Sequence, residues 1–144
     1  MSAQIDNFRN QLRAKVEDAD KRLRDLETKA KASGEKAKDD AKAQLSSLET
    51  KVKAQQAKVQ ASEASMKAWV EEKKKVTSDK IAEWKGQRRV KELVEHANIA
   101  EDYAAAATEV AAAMIDEAEK AIAEAVVARM NADSVQSAPT AKSA

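Results

Sequence analysis

From Val90 to Ala128 an apolar residue recurs at alternating steps of three and four without a gap. The positions are Val90, Leu93, Ala97, Ala100, Ala104, Ala107, Ala111, Met114, Ala118, Ala121, Ala125 and Ala128. A chain turning 3.6 residues per revolution brings all of these onto one stripe, so this stretch has to be a long helix. Most of the stripe is alanine, which lets a neighbouring backbone come close but buries little area per residue. A second line at seven-residue spacing, Glu95, Asp102, Glu109 and Asp116, is acidic and reads as an outer ridge, either solvated or meeting the basic segment.

The rest of the composition leaves no room for a sheet. Charged residues make up 35% of the 144 and aromatic residues 3%, with two glycines and one proline. No run of β-branched or aromatic residues alternates with period two. The fold expected is all-α, with two or three long helices in antiparallel coiled-coil or extended helical-bundle packing. A domain over 1–130, with helices near 4–32, 35–85 and 87–130, would precede a polar, disordered tail over 131–144.

Two glycines punctuate the pattern. Ser33-Gly34 falls where no large apolar residue occurs between Leu26 and Leu45, and a turn is favoured there. Gly86 separates two segments of similar length, as a helical hairpin requires. Thr77-Ser78-Asp79 offers a cap or kink inside the second segment. In the first segment, Ile5, Phe8, Leu12, Val16, Ala19, Leu23, Leu26 and Ala30 form the apolar face. Acid-first pairs such as Asp18–Arg22 and Asp20–Arg24 support its outside. The second segment's face runs Leu45, Leu48, Val52, Gln55, Val59, Ser62, Met66, Trp69, Lys73 and Val76, weakened by its polar members.

Charge is unevenly distributed. Residues 1–96 carry 23 Lys/Arg against 17 Asp/Glu, whereas residues 97–131 carry two against seven. A basic front and an acidic last helix attract each other, within one chain or between two.

The stretch AEDYAAAATEVAAAMIDEAEKAIAEAVVARMNAD, residues 100–133, resembles the Ala-rich C-terminal helix of uncharacterised bacterial coiled-coil proteins. That resemblance covers about a quarter of the chain and implies no activity. The first half resembles phasins, apolipoprotein-like helices and late-embryogenesis proteins in composition only.

Chemistry is poorly provided for. There is no cysteine and one histidine, His96, with Glu92 one turn before it. Glu-x-x-His is absent, because residue 93 is leucine, and a surface histidine beside a carboxylate is the plainer expectation. Members of the acidic ridge stand about 10 Å apart along the axis, too far for consecutive ones to chelate one ion. No Gly-rich phosphate loop and no strained nucleophile turn occurs. No enzyme, cofactor or metal is expected.

Two modes of binding remain. The first is helix–helix association through the seam Leu93, Ala97, Ala100, Ala104, Ala107, Ala111, Met114, Ala118, Ala121 and Ala125. It would make a structural, scaffolding or adaptor protein that forms a homo-oligomer, a dimer foremost, or joins another helical protein. The second uses Trp69, Lys73, Lys74, Lys75, Lys80, Trp84, Lys85, Arg88 and Arg89 on an anionic membrane or lipid-covered granule. Against it, Glu71, Glu72, Asp79, Glu83 and Glu92 dilute the positive field, and anchoring the hairpin end of the bundle is the plainer role for both tryptophans. Nucleic acid is not expected, since neither a fold motif nor a pI above about 9 supports it. The N-terminus lacks an apolar signal region and no stretch is long enough to span a bilayer, so the cytoplasm is the expected compartment.

Overall fold

The computed structural model describes residues 3–32 and 34–136. It is all-helical: about 95% of the described residues lie in four α-helices that pack against one another, with no strand among them. The helices are α1 (Ala3–Ala32), α2 (Glu35–Lys75), α3 (Ser78–Gly86) and α4 (Val90–Gln136).

The first break falls at Gly34, whose φ of 132° is open only to a residue without Cβ. Its carbonyl then accepts from the Lys38 N–H at 3.1 Å, beginning α2.

The second segment, expected as one helix over 35–85, is divided. Thr77 turns extended (φ −83°, ψ 168°), and its hydroxyl oxygen accepts the Lys80 N–H at 3.2 Å, capping α3. The Thr77-Ser78-Asp79 signal therefore acts as a true helix start.

The helix break expected at Gly86 is displaced. Gly86 is the last residue of α3, and the left-handed residue is Arg88, at φ 54°. The Arg89 N–H reaches back to the Trp84 carbonyl at 2.8 Å and the Arg88 N–H to the Lys85 carbonyl at 3.2 Å. These paired bonds satisfy the last carbonyls of α3 and demand a left-handed residue between them. An arginine fills that position, with glycine two residues too early.

The last helix begins at Val90, not residue 87, and continues to Gln136, past the expected end at 130. Residues 131–136 of the expected tail are thus helical, while 137–144 lie outside the described residues.

The chain forms two compact units. One comprises the described residues of Met1–Ala14 with Gln55–Ala113, the other Lys15–Ala54 with those of Met114–Ala144. In the second unit, Leu26, Ala41, Leu48, Ala123 and Val127 form a buried cluster, with Leu45, Val126 and Met130 packed on it. Burial of each leucine contributes roughly 1.5–3 kcal/mol. In the first unit, Ala106 and Ser62 are the buried residues, and Trp69 stacks on Tyr103 with ring centroids 5.8 Å apart.

Candidate functional site

The most developed polar arrangement lies in the second unit, on residues that apolar periodicity assigned elsewhere. Asp116 and Glu119 of α4 have fully buried side chains. Lys15 Nζ of α1 stands 2.7 Å from Asp116 Oδ1, and Lys51 Nζ of α2 stands 3.5 Å from the same oxygen. Arg22 of α1 donates from Nε to Glu119 Oε2 at 2.9 Å and from Nη2 to Glu119 Oε1 at 2.8 Å. Gln44 of α2 donates to the Arg22 carbonyl at 3.1 Å. Five charges from three helices thus meet beside the apolar cluster.

The electrostatics follow from that crowding. The bond to Glu119 holds the Arg22 guanidinium above its ordinary pKa, against the opposing effect of burial. Burial, together with the neighbouring Lys15, pushes Lys51 below the usual lysine value, although Asp116 pulls the other way. The cations keep partial exposure while the carboxylates keep none, so desolvation falls mainly on Asp116 and Glu119.

The acidic ridge is therefore not one outer line. Glu95, Asp102 and Glu109 are exposed, but Asp116 points into the core. The alanine seam divides as well. In the first unit Leu93, Ala100, Ala104, Ala107 and Ala111 are half-buried and Ala97 is exposed. In the second unit Met114, Ala118, Ala121 and Ala125 are all exposed. The inward face of α4 there is Asp116, Glu119, Ala123 and Val127. At 100° per residue, Ala121 lies about 160° around the helix from Ala123. The sequence signal that marks the inward face is indirect. Lys15, Arg22 and Lys51 sit next to apolar seam positions of α1 and α2, where an acidic partner helix can reach them.

The outward face of the second unit is apolar beyond its alanines. Met114 is 64% exposed and Ile122 47%, and Val16 of α1 is 54% exposed. Val16 and Leu23 of α1 with Ile115, Ala118 and Ile122 of α4 line an open groove beside it.

In the first unit the lone histidine is not a surface group beside Glu92. His96 Nδ1 lies 3.3 Å from Glu72 Oε2 of α2, and its ring packs on Trp69 at 5.4 Å. Glu92 instead pairs with Arg89 at 2.6 Å. Its carboxyl is held below the usual range by its own backbone N–H and then by Arg89. Ser62 Oγ lies 2.9 Å from the Lys58 carbonyl and 3.2 Å from Glu109 Oε2, so one hydroxyl proton serves two acceptors. Among the described residues, no group of three or more His, Cys, Asp and Glu is placed to hold a metal ion.

Of the residues proposed for an anionic surface, Lys73, Lys74, Lys75, Lys80, Lys85, Arg88 and Arg89 are exposed. Three are tied to acids: Lys74 to Glu71, Lys80 to Glu83 and Arg89 to Glu92. Trp69 and Trp84 are half-buried, and Trp69 is committed to its stack with His96 and Tyr103. No helix among the described residues is long and apolar enough to cross a membrane.

Compared with protein-family models, curated proteins and solved structures, the chain matches none.

Proposed function

We propose that this chain is a non-enzymatic structural, scaffolding or adaptor protein that works by helix–helix association and self-assembles, as a dimer in the first instance. The observation that carries the reading is the outward face of α4 in the second unit. Met114, Ala118, Ala121 and Ala125 keep an uninterrupted seam spacing yet stay exposed in their own unit. Seam spacing on an exposed face suits a second helix.

Coiled-coil packing of antiparallel neighbours is the architecture that goes with it. In the first unit Ser62 meets Glu109 and Glu72 meets His96, so partners ascend one helix as they descend the other. The absence of cysteine fits a reducing compartment such as the cytoplasm. Sedimentation equilibrium at physiological and high salt tests the association. A dimer that persists in high salt supports it, and a monomer at every concentration overturns it.

A second reading is a peripheral protein on an anionic membrane or lipid-granule surface. It is favoured by Val70, Val90 and Val94, each at least half exposed among the basic residues of this segment. These valines, not Trp69, would enter the interface. Flotation with anionic but not neutral vesicles, lost in Val90→Asp/Val94→Asp, supports this reading. No flotation removes it.

A further inference from the structure

Helix α4 carries two faces that compete for the core of the second unit. One is Met114, Ala118, Ala121, Ala125 and Ala128, continuous and uncharged. The other is Asp116, Glu119, Ala123 and Val127, interrupted by two carboxylates. Over residues 114–121 apolar content alone puts the first inside, whereas Val126, Val127 and Met130 favour the second toward the C-terminus. The structure buries the second.

We propose that the Lys15–Lys51–Asp116 and Arg22–Glu119 ion cluster is a selector that sets the rotation of α4, turning its charged face inward and holding its alanine face outward. Three features support this. The cluster takes cations from both neighbouring helices, so it fixes α4 against α1 and α2 together. Arg22 grips Glu119 with two bonds in a planar fork, which tolerates little rotation or sliding. Sliding α4 by one turn would take Glu119 off the Arg22 fork and cost its two charge-assisted bonds, an unfavourable state for a buried carboxylate. Buried ion pairs commonly contribute little net stability, and register setting is their best-attested use. The inference goes beyond the proposed association. It stands whether or not the outward face meets a second copy.

The chain has no cysteine, so single thiols can report the rotation. Ala121→Cys and Ala123→Cys are labelled with a maleimide at a dilution where sedimentation gives a monomer. In the parent chain Cys at 121 should react about tenfold or more faster than Cys at 123. Each is then combined with Lys15→Met/Arg22→Met/Lys51→Met, which removes the cations that meet Asp116 and Glu119 in the core and keeps both carboxylates on α4. The chain should stay helical by circular dichroism while the two rates converge. A folded variant that keeps the parent contrast overturns the proposal.

If that variant does not fold, the pair Arg22 and Glu119 decides. Glu119→Arg alone should erase the contrast, and Arg22→Glu/Glu119→Arg should restore it. A single variant that keeps the contrast, or a double variant that fails to regain it, overturns the proposal.

Discussion

Arg22 places its paired bonds not on Asp18, its acid-first neighbour one turn earlier on α1, but on the buried carboxylate of Glu119, 97 residues away. Three of the other acid-first pairs of α1, Asp20–Arg24, Asp25–Lys29 and Glu27–Lys31, do form. Such pairs are worth a few tenths of a kcal/mol, whereas a bidentate bond to a buried carboxylate is worth several times more. Arg22→Met should therefore destabilise the chain by about 2–3 kcal/mol, because it strands Glu119 beside the core. The figure is set at the low end because the Arg22 side chain is itself 36% exposed. Arg24→Met should cost less than about 0.5 kcal/mol. Urea denaturation of the two variants gives the comparison, and equal midpoints would refute it.

Arg88 and Gly86 stand in exchanged roles. Arg88 holds φ 54°, a region that carries a penalty of roughly 1 kcal/mol for a residue with Cβ, and Gly86 occupies an ordinary helical position with nothing near its missing Cβ. Arg88→Gly should stabilise by about 1 kcal/mol and Gly86→Ala by about 0.5–1 kcal/mol. Both should raise the thermal midpoint. By contrast Gly34→Ala, at φ 132°, should lower it although space is free there. A fall in midpoint for Gly86→Ala would contradict a helical conformation at Gly86.

These differences show where sequence reading reached and where it stopped. The helices were legible because Ala, Lys and Glu dominate and strand formers are sparse. Gly34 and Thr77 were legible as breaks because each carries its own backbone mechanism. Arg88 was hidden because a left-handed arginine runs against its intrinsic preference, so the glycine nearby drew the assignment. The inward face of α4 was hidden for a related reason. Periodicity ranks positions by apolarity, and Asp116 and Glu119 enter the core only because Lys15, Arg22 and Lys51 meet them there. Closeness in sequence points His96 to Glu92, while tertiary packing gives it Glu72 and Trp69.

Lys51 links the cluster to pH. Its pKa is lowered in the folded chain, so between that value and the unfolded lysine value of about 10.4 the unfolded state binds more protons. Stability should accordingly rise with pH through this window, and the contribution is unfavourable at every lower pH. Lys51→Met should remove that rise and leave stability at neutral pH unchanged or slightly higher, since Lys15 still faces Asp116. Urea midpoints of the parent and variant from pH 7 to 10.5 test the sign. A rise that survives in the variant would assign it to another group.

The rotation of α4 can also be read from volume. Ala123 is fully buried against Leu26, Ala41, Leu48 and Val127, and Ala121 is exposed. Three added heavy atoms at Ala123 have nowhere to go without moving Leu26 or Leu48, so Ala123→Leu should cost about 1–3 kcal/mol. The same atoms at Ala121 project from the outward face, and Ala121→Leu should change monomer stability by no more than about 0.5 kcal/mol. The contrast runs opposite to the one that the alanine seam alone implies, in which Ala121 lies inside and Ala123 outside. Ala121→Leu also reports on association, since a close-packed alanine interface cannot take the larger side chain. Chemical denaturation at dilution, paired with sedimentation of the same two variants, separates the effects. If Ala121→Leu weakens the dimer while sparing the monomer, and Ala123→Leu destabilises the monomer, both faces of α4 have been assigned. Equal destabilisation of the monomer by the two variants would contradict the observed rotation.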